Sequence, residues 1–411
     1  MSEVATREPQ LRFPEFSDSL IKGALGDYAL IKRGAGSQYI EYSKDSKDSI
    51  RLIRIGDFLG GDAVFVRLTN AIQRFLLDEG DILIAGTGAT AGITFLVPTK
   101  FVGMAYSYNA PKIKVHKDNV SFFYQYLISP KIKIQQIRLF TGNAQPFLDT
   151  NAIKGFSIFK PPLQEQQKIA AFLAAVDSKI EQLSKKQALL GEYKKGLMQQ
   201  IFSQAIRFKA DDGSAFPVWE EKKLGDIGHT FNGLTGKTKD DFGRGKPYIQ
   251  YMQIFESSKI NIDNFGLVDV RDDENQKVAQ YGDVFFTTSS ETPDAVGYSS
   301  VLLDDIDKLY LNSFCFGFRP NSLDELSPNF AQFLLRSANF RRRVVRLAQG
   351  STRYNMSKVQ LMKEVISLPC LKEQTKIANF LSSIDSKIEQ VSKQLDESKQ
   401  FKKALLQQMF V

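Results

Sequence analysis

One long segment of this chain occurs twice. Residues 161–186 read PPLQEQQKIAAFLAAVDSKIEQLSKK, and residues 369–394 read PCLKEQTKIANFLSSIDSKIEQVSKQ. The second copy lies 208 positions after the first, and the same offset continues without a gap to residues 202 and 410. A repeat of this length predicts one structural element that is built twice in the same fold.

Both copies have the spacing of a coiled-coil helix. Apolar residues recur every seven positions in the first copy, at Ile169, Val176, Leu183, Leu190 and Leu197. The second copy has Ile377, Ile384, Val391 and Leu405 at matching positions. This pattern predicts two long helices with an apolar seam, and the prolines at 161, 162 and 369 mark where they begin. A helix of ~40 residues is ~60 Å long at ~1.5 Å per residue.

The stretches before the two helices are related but more divergent. Shared landmarks are Leu-Gly-Asp at 25–27 and 224–226, Gly-Asp at 80–81 and 282–283, and Phe-Pro at 13–14 and 216–217. Short β-rich runs between Gly, Asn and Asp turns, with helical stretches near 120–140 and 328–347, indicate a mixed domain in each half. We predict globular domains at 1–160 and 205–368 and helices at 161–204 and 369–411.

The order of these segments predicts an α+β fold with internal symmetry. The first helix ends where the second domain begins, and the second helix begins where that domain ends. Parallel helices would force the second domain to bridge ~60 Å, whereas antiparallel helices need no bridge, and connections are usually short. We therefore expect two mixed α/β domains separated by an antiparallel coiled-coil pair, related by a pseudo-two-fold axis.

Composition excludes several protein classes. Two cysteines cannot form a disulfide scaffold, and two cysteines with two distant histidines argue against a zinc site. We find no apolar run of roughly 18 residues and no signal-peptide pattern, so we expect a cytoplasmic protein. The net charge of +8 is compatible with a polyanionic partner such as a nucleic acid.

No catalytic constellation can be assembled from the sequence. Gly236-Lys237-Thr238 matches the end of a phosphate-binding loop, but Phe231 stands where its first glycine is needed. The glycine-rich segment 86–92 misses the dinucleotide-binding spacing by one position, and residues 160–163 are not a methyltransferase tetrapeptide. Asp81 and Asp283 follow glycine in equivalent turns, which favours a structural role. We therefore predict no catalytic residue and no metal ligand.

Together these motifs resemble the specificity subunit of type I restriction–modification systems. They are the Gly-Asp turns, the EQxKIAxFL and DSKIEQ helix motifs, and the KKxLxQQ tail, each present twice. The resemblance covers nearly the whole chain, although the tryptophan expected before the first Leu-Gly-Asp is absent and Phe16 is nearest. It implies two target-recognition domains that each bind half of a split sequence in double-stranded DNA.

The resemblance also implies partners. The helices would form a spacer and dock two modification (methyltransferase) subunits, and restriction (translocase and nuclease) subunits would join them. This chain itself would bind no cofactor, and S-adenosylmethionine, ATP and Mg would belong to the partner subunits. It would be a non-catalytic reader of DNA, with no membrane association.

Polar and aromatic residues near loops of the divergent domains are the candidate DNA contacts, because such side chains read base edges and phosphates. In the first domain they are Lys32, Arg33, Ser37, Gln38, Tyr39, Thr87, Thr90, Tyr106, Tyr108, Asn109, Asn143 and Gln145. In the second domain they are Asn232, Thr235, Lys237, Thr238, Lys239, Thr287, Thr288, Ser289, Arg341, Arg342, Arg343, Arg346, Ser351, Thr352, Arg353, Tyr354 and Asn355.

Recurring polar residues of the two helices are the candidate docking contacts. They are Glu165, Gln166, Asp177, Lys179, Glu181, Gln182, Glu373, Gln374, Asp385, Lys387, Glu389 and Gln390. An ordinary solvated helix face would give the same pattern. Two rival functions also stay open from sequence: a coiled-coil scaffold that does not bind DNA, and a self-sufficient DNA methyltransferase or nuclease.

Overall fold

The computed structural model describes residues 8–43, 48–140 and 146–411. The chain divides into two compact units. The first unit comprises Met1–Lys185 and Ser392–Val411, and the second unit comprises Lys186–Val391. Among the described residues, no helix has the length and apolar character needed to cross a membrane.

The first unit contains nine short strands and parts of two long helices within its described residues. The strands are β1 (Ile21–Ala24), β2 (Ala29–Lys32), β3 (Ser49–Ile53), β4 (Phe65–Arg67), β5 (Ile82–Ile84), β6 (Thr94–Leu96), β7 (Ala105–Tyr106), β8 (Lys112–Val115) and β9 (Ser157–Lys160). The helices are α1 (Leu25–Tyr28), α2 (Val120–Leu127), α3 (Pro130–Phe140), α4 (Thr150–Lys154) and α5 (Leu163–Phe202), whose last residues enter the second unit.

The second unit has the corresponding elements and additional short strands. The strands are β10 (Glu220–Lys223), β11 (Gly228–Asn232), β12 (Phe242–Ile249), β13 (Gly266–Val268), β14 (Val284–Thr287), β15 (Ser289–Ser290), β16 (Ser299–Val301), β17 (Tyr310–Leu311), β18 (Cys315–Pro320), β19 (Ala348–Gln349), β20 (Tyr354–Met356) and β21 (Val365–Leu368). The helices are α6 (Leu224–Ile227), α7 (Tyr251–Glu256), α8 (Pro328–Leu334), α9 (Ala338–Arg346), α10 (Lys358–Leu361) and α11 (Leu371–Gln408), which ends in the first unit.

The sheets of the two units have the same topology. An antiparallel sheet with the order β2-β8-β5-β6 corresponds to β11-β18-β14-β16. A three-stranded sheet with one parallel pair, β4-β3-β7, corresponds to β13-β12-β17. The strand before each Leu-Gly-Asp helix pairs with the strand before each long helix, β1 with β9 and β10 with β21. The predicted mixed α+β fold is therefore confirmed in each unit.

The Gly-Asp turns fix the start of the central strands. Asp81 accepts a hydrogen bond from the amide of Asp78 at 2.7 Å and pairs with Lys112 at 2.9 Å. Asp283 accepts from the amide of Gln280 at 2.8 Å and pairs with Arg319 at 2.6 Å. Both carboxylates are buried, as a structural role requires. The strands that follow are buried along their whole length, which agrees with their apolar sequences, interrupted only by the threonine that ends β14.

The ends of the long helices belong to the cores of the units. In the first unit, Leu173 of α5 and Leu405 of α11 share one apolar cluster with Phe122 of α2. In the second unit, Ile201 of α5 and Leu381 of α11 share a cluster with phenylalanines of α8. The start of one helix thus lies with the end of the other in each unit, which is the predicted antiparallel arrangement.

Candidate nucleic-acid interface

The loop after β2 forms one wall of an open cavity of about 660 Å³ in the first unit. Side chains predicted to contact DNA line it: Ser37, Gln38, Thr87, Thr90, Tyr108 and Asn109. They come from three separate stretches of the chain that the sheet brings together. Lys32 and Tyr39 of the same loop are exposed, so the loop presents hydroxyl, amide, aromatic and cationic groups beside one concave surface.

Arg33 is held between two aromatic rings at the edge of this surface. Its guanidinium carbon lies 4.5 Å from the ring centre of Tyr108 and 5.3 Å from that of Phe147. Its Nη1 is buried and has no hydrogen-bond acceptor among the described residues. A guanidinium stacked in this way keeps its charge and presents its donors in a fixed plane.

The prediction for Tyr106 is wrong, because that side chain is buried. Its exposed fraction is 1%, and its hydroxyl donates to the carbonyl of Arg33 at 3.3 Å. Burial, with a further contribution from Asp81, raises the pKa of the Tyr106 hydroxyl. Tyr106 therefore supports the loop through the backbone of Arg33, and its side chain is not accessible to DNA. Asn143 and Gln145 lie outside the described residues.

The equivalent loop of the second unit begins at the end of β11. Asn232, Thr235, Thr238 and Lys239 are exposed there. Lys237 is less available, since its ammonium pairs with Glu274 at 2.6 Å and its side chain is only 6% exposed. That ammonium, with help from Gln276, lowers the pKa of Glu274 to about 2. Lys237 therefore stabilises the loop, and its neighbours provide the free polar groups.

The candidate residues at the end of β14 and just after it comprise one buried and two half-buried positions. Thr287 is fully buried, and its hydroxyl accepts a hydrogen bond from the amide of Tyr298 at 3.0 Å, so its prediction as a DNA contact is wrong. Thr288 and Ser289 are half-buried. Ser289 and Arg353 line another cavity, of about 550 Å³, together with the aromatic side chains of Tyr251, Phe255 and Phe314.

The basic run on α9 is not one cationic surface. Arg341 donates to the carbonyls of Gly297, Asp294 and Val296 at 2.6–2.8 Å, and burial lowers the pKa of its guanidinium. Arg341 thus fixes the neighbouring turn, and its prediction as a phosphate contact is wrong. Arg343 donates to the carbonyl of Val365 but is exposed, as are Arg342 and Arg346.

The last candidate loop of the second unit is open to solvent. Ser351, Thr352, Arg353 and Asn355 are exposed, and Tyr354 is half-buried in the short sheet formed by β15, β19 and β20. Asn355 pairs with Ser289 in that sheet, so this loop lies beside the residues that follow β14. Polar groups from two distant stretches are therefore adjacent.

Four of the predicted docking residues face inward. Glu165, Gln166, Glu373 and Gln374 are each no more than 1% exposed. Gln166 accepts from the amide of Asn119 at 3.0 Å, and Gln374 accepts from the amide of Ser327 at 2.9 Å. These side chains anchor the helix starts to the loops before α2 and α8. Their prediction as partner contacts is wrong because no partner can reach them.

The two buried glutamates are clamped by arginines that the sequence reading missed. Arg12 binds Glu165 through two hydrogen bonds of 2.8 and 2.7 Å. Arg207 binds Glu373 at 3.1 and 2.6 Å, and the indole of Trp219 donates to the same carboxylate at 3.1 Å. The sequence feature that the two arginines share is a Leu/Ile-Arg-Phe triplet, at residues 11–13 and 206–208.

The Phe-Pro comparison was only partly right. The ring of Phe13 packs edge-on against Phe172 at 5.8 Å, and Phe208 does the same with Phe380 at 5.5 Å. Phe208, rather than Phe216, therefore stands in the place of Phe13 against the long helix. The ring of Phe216 instead lies 5.9 Å from the ammonium of Lys376.

The remaining predicted docking residues are accessible or partly so. Asp177 and Asp385 are half-buried and pair with lysines of the opposite helix. The exposed ones are Lys179, Glu181, Gln182, Lys387, Glu389 and Gln390. The sequence reading also missed two aromatic side chains at corresponding positions of the long helices, Tyr193 (55% exposed) and Phe401 (52% exposed).

A family comparison identifies the repeated architecture. The type I restriction modification DNA specificity domain matches twice, at residues 24–190 and 218–398, and so covers most of the chain. The chain belongs to this family. As a type I specificity subunit it is not an enzyme, and among the described residues no cluster of His, Cys, Asp or Glu could hold a metal ion.

Two curated relatives from Methanocaldococcus jannaschii match the specificity subunit along most of its length. The type I restriction enzyme MjaVIII specificity subunit is 27% identical over 365 residues, which are 83% of this chain and 80% of the relative. The putative type I restriction enzyme MjaX specificity subunit is 23% identical over 350 residues, 82% and 78% of the two chains.

Solved structures share the fold of this specificity subunit. The S subunit of a type I restriction–modification system from M. genitalium has a TM-score of 0.57 and 15% identity, covering 98% of this chain and 99% of that chain. A chain from a study of complex assembly and conformational transition of the type I R-M system also has a TM-score of 0.57, with 19% identity and coverage of 94% and 96%.

Proposed function

We propose that this specificity subunit binds a bipartite sequence in double-stranded DNA and directs modification and restriction subunits to it. Each globular domain reads one half-site, and the long helices set the spacing and dock the partners. The chain acts in the cytoplasm without chemistry of its own. S-adenosylmethionine, ATP and Mg are used by the partner subunits.

A difference in side chains between the two units supports two recognition domains that bind different DNA sequences. The sheets of the two units share one topology, and the loop after β2 corresponds to the loop after β11. The side chains at the ends of these strands differ, however: Lys32 and Arg33 in the first unit correspond to Phe231 and Asn232 in the second. Equivalent loops with different polar groups suit two different half-sites, because base edges are distinguished by their donor and acceptor patterns.

The long helices, unlike the loops, are alike in the two copies. They carry the same sequence motifs twice, including exposed polar residues and the aromatic pair Tyr193 and Phe401. A surface that is used twice in the same way suits two identical partners, and exposed aromatic side chains are typical anchors of protein interfaces. We assign residues 1–160 and 205–368 to the recognition domains and 161–204 and 369–411 to the spacer.

A binding experiment with the assembled complex tests this function. Methylation profiling of DNA from cells that carry the whole system would give the target. The complex of this chain with its modification subunits should then bind a target duplex more tightly than a random duplex, by about 10³-fold or more. Binding should weaken steeply with salt, since phosphate contacts release counterions.

Exchange of one domain provides the sharper control. Replacing residues 230–350 with the corresponding residues of another specificity subunit should change one half-site and leave the other unaltered. An assembled complex without any preference over random DNA would support the coiled-coil scaffold instead. Methylation by the purified chain alone would contradict the assignment as a non-catalytic subunit.

A further inference from the structure

Arg33 and Asn232 occupy the same position in the two units. Each follows its Leu-Gly-Asp helix by the same number of residues, at the end of β2 and of β11. Each also directly precedes a glycine, Gly34 or Gly233, on which a Cβ would collide with backbone carbonyls of the neighbouring segment. This close backbone contact fixes where the preceding side chain leaves the sheet.

The surroundings of Arg33 orient its guanidinium without neutralising it. The rings of Tyr108 and Phe147 pack against the group, and its Nη1 is buried without a hydrogen-bond partner among the described residues. Its backbone carbonyl is held by the buried hydroxyl of Tyr106. The neighbouring residues Thr87 and Tyr108 line the 660 Å³ cavity, so the arginine stands at the rim of the surface on which DNA would lie.

The surroundings of Asn232 orient an amide in a comparable way. The ammonium of Lys358 donates to its Oδ1, and that ammonium lies 5.5 Å from the centre of the Phe316 ring. An ammonium can only donate, so it holds the oxygen of the amide on its own side. That bond leaves the Nδ2 donors and the second lone pair of Oδ1 available, and Asn232 is exposed.

We propose that this shared position reads a base directly in both domains, guanine through Arg33 and adenine through Asn232. A guanidinium fork donates to O6 and N7 of guanine, and an amide accepts from N6 and donates to N7 of adenine. Stacked or hydrogen-bonded partners restrict both side chains beforehand, which lowers the entropy lost on binding. The inference rests on the proposed function, since it names the residues by which the two domains discriminate bases.

The test uses the full chain assembled with its modification subunits and the target found by methylation profiling. Each guanine of the target is replaced in turn by 7-deazaguanine, and each adenine by 7-deazaadenine, which lack N7. For the unaltered complex, one guanine replacement in one half-site should weaken binding about tenfold or more. That penalty should vanish in Arg33→Ala and become smaller in Arg33→Lys, whose ammonium keeps the charge and a donor but not the fork.

Asn232→Ala is the matched variant in the second unit. It should retain the 7-deazaguanine penalty and lose a 7-deazaadenine penalty in the other half-site. The inference is overturned if no guanine replacement matters, if the penalty persists in both Arg33 variants, or if the Arg33 and Asn232 variants affect the same half-site. A uniform loss of affinity for all duplexes would also overturn it, because that result indicates a phosphate contact. Failure of the proposed function is different: the unaltered complex would then not prefer its target.

Discussion

Asp177 and Lys402 form an ion pair of 2.5 Å between α5 and α11 in the first unit. The residues 208 positions from each form the same pair in the second unit, Asp385 with Lys194 at 2.5 Å. Each helix therefore contributes an aspartate from its first half and a lysine from its second half. One repeated sequence can make both pairs only if the helices run antiparallel. The pairs therefore favour the antiparallel arrangement in addition to stabilising the contact between the helices.

These ion pairs should each contribute modestly to stability. A double-mutant cycle with Lys194→Met and Asp385→Asn should give a coupling energy of about 0.3–1 kcal/mol, because both side chains are partly solvated. The measurement is urea denaturation followed by the fluorescence of Trp219, the single tryptophan of the chain. The coupling should shrink in high salt, and a salt-independent coupling would argue against an electrostatic origin.

Loss of the arginine clamp should cost considerably more. Arg207→Ala leaves the carboxylate of Glu373, which is fully buried, with only the indole of Trp219, and the expected loss is about 3 kcal/mol in the free energy of unfolding. Arg271→Ala is the matched control, since Arg271 pairs with Asp273 at the surface of the same unit and should cost less than about 0.5 kcal/mol. Equal losses for the two variants would contradict a structural clamp.

The Lys237–Glu274 ion pair should make the stability of the second unit depend on pH. The pKa of Glu274 is lowered to about 2 from an ordinary value of 4.5, so the stabilisation is complete above pH 4.5 and is lost as the pH falls towards 2. NMR titration should place the Glu274 midpoint near 2, and Lys237→Met should move it upward. Asp272, whose pKa is lowered by Lys246, is the internal control and should keep its low midpoint in that variant.

Substitution of an exposed predicted DNA contact should change the salt dependence of DNA binding, whereas substitution of a buried one should not. Lys239→Ala removes an exposed cation from the loop after β11 and should reduce the slope of log affinity against log salt by about 0.9 if it contacts one phosphate. Thr287→Ala should leave that slope unchanged, since its hydroxyl is buried, and should lower stability by about 1 kcal/mol. A changed salt slope in Thr287→Ala would show that the residue becomes accessible when DNA binds.

The exposed aromatic side chains of the long helices should contribute to binding of the modification subunits. Tyr193→Ala and Phe401→Ala should each weaken association with the modification subunit by about 2 kcal/mol, as measured by calorimetry, with little change in Tm. Lys185→Ala, an exposed position of α5, should have almost no effect on either quantity. If Lys185→Ala and Tyr193→Ala lose equal affinity, aromatic anchoring is excluded.

The periodic parts of the fold were predictable from sequence, because each heptad or strand is determined by its own residues. The long helices, the Gly-Asp turns and the mixed domains were all expected on that basis. Burial of Glu165 was not, since its partner Arg12 lies 153 positions away in the chain. Polar residues are usually exposed, and only a distant cation makes burial of this carboxylate favourable.

The reading surfaces were harder to predict for a different reason. Tyr106 and Tyr108 would share one face of a continuous strand, yet β7 ends at Tyr106 and a turn follows, so that one ring is buried and the other exposed. Arg341 had the composition of a cationic face but satisfies the carbonyls of a turn 44 to 47 positions away. Loop contacts of this kind depend on tertiary structure rather than on local pattern.

The placement of residues 392–411 in the first unit has a consequence for synthesis on the ribosome. The second unit is one continuous stretch of chain and can close as soon as residue 391 has emerged. The core of the first unit, although most of that unit is translated earlier, lacks Leu405, Met409 and Phe410 until those residues have also been translated. The unit that is begun first is therefore completed after the other, and a nonsense mutation in the codons for residues 392–405 would damage the unit that contains residues 8–185.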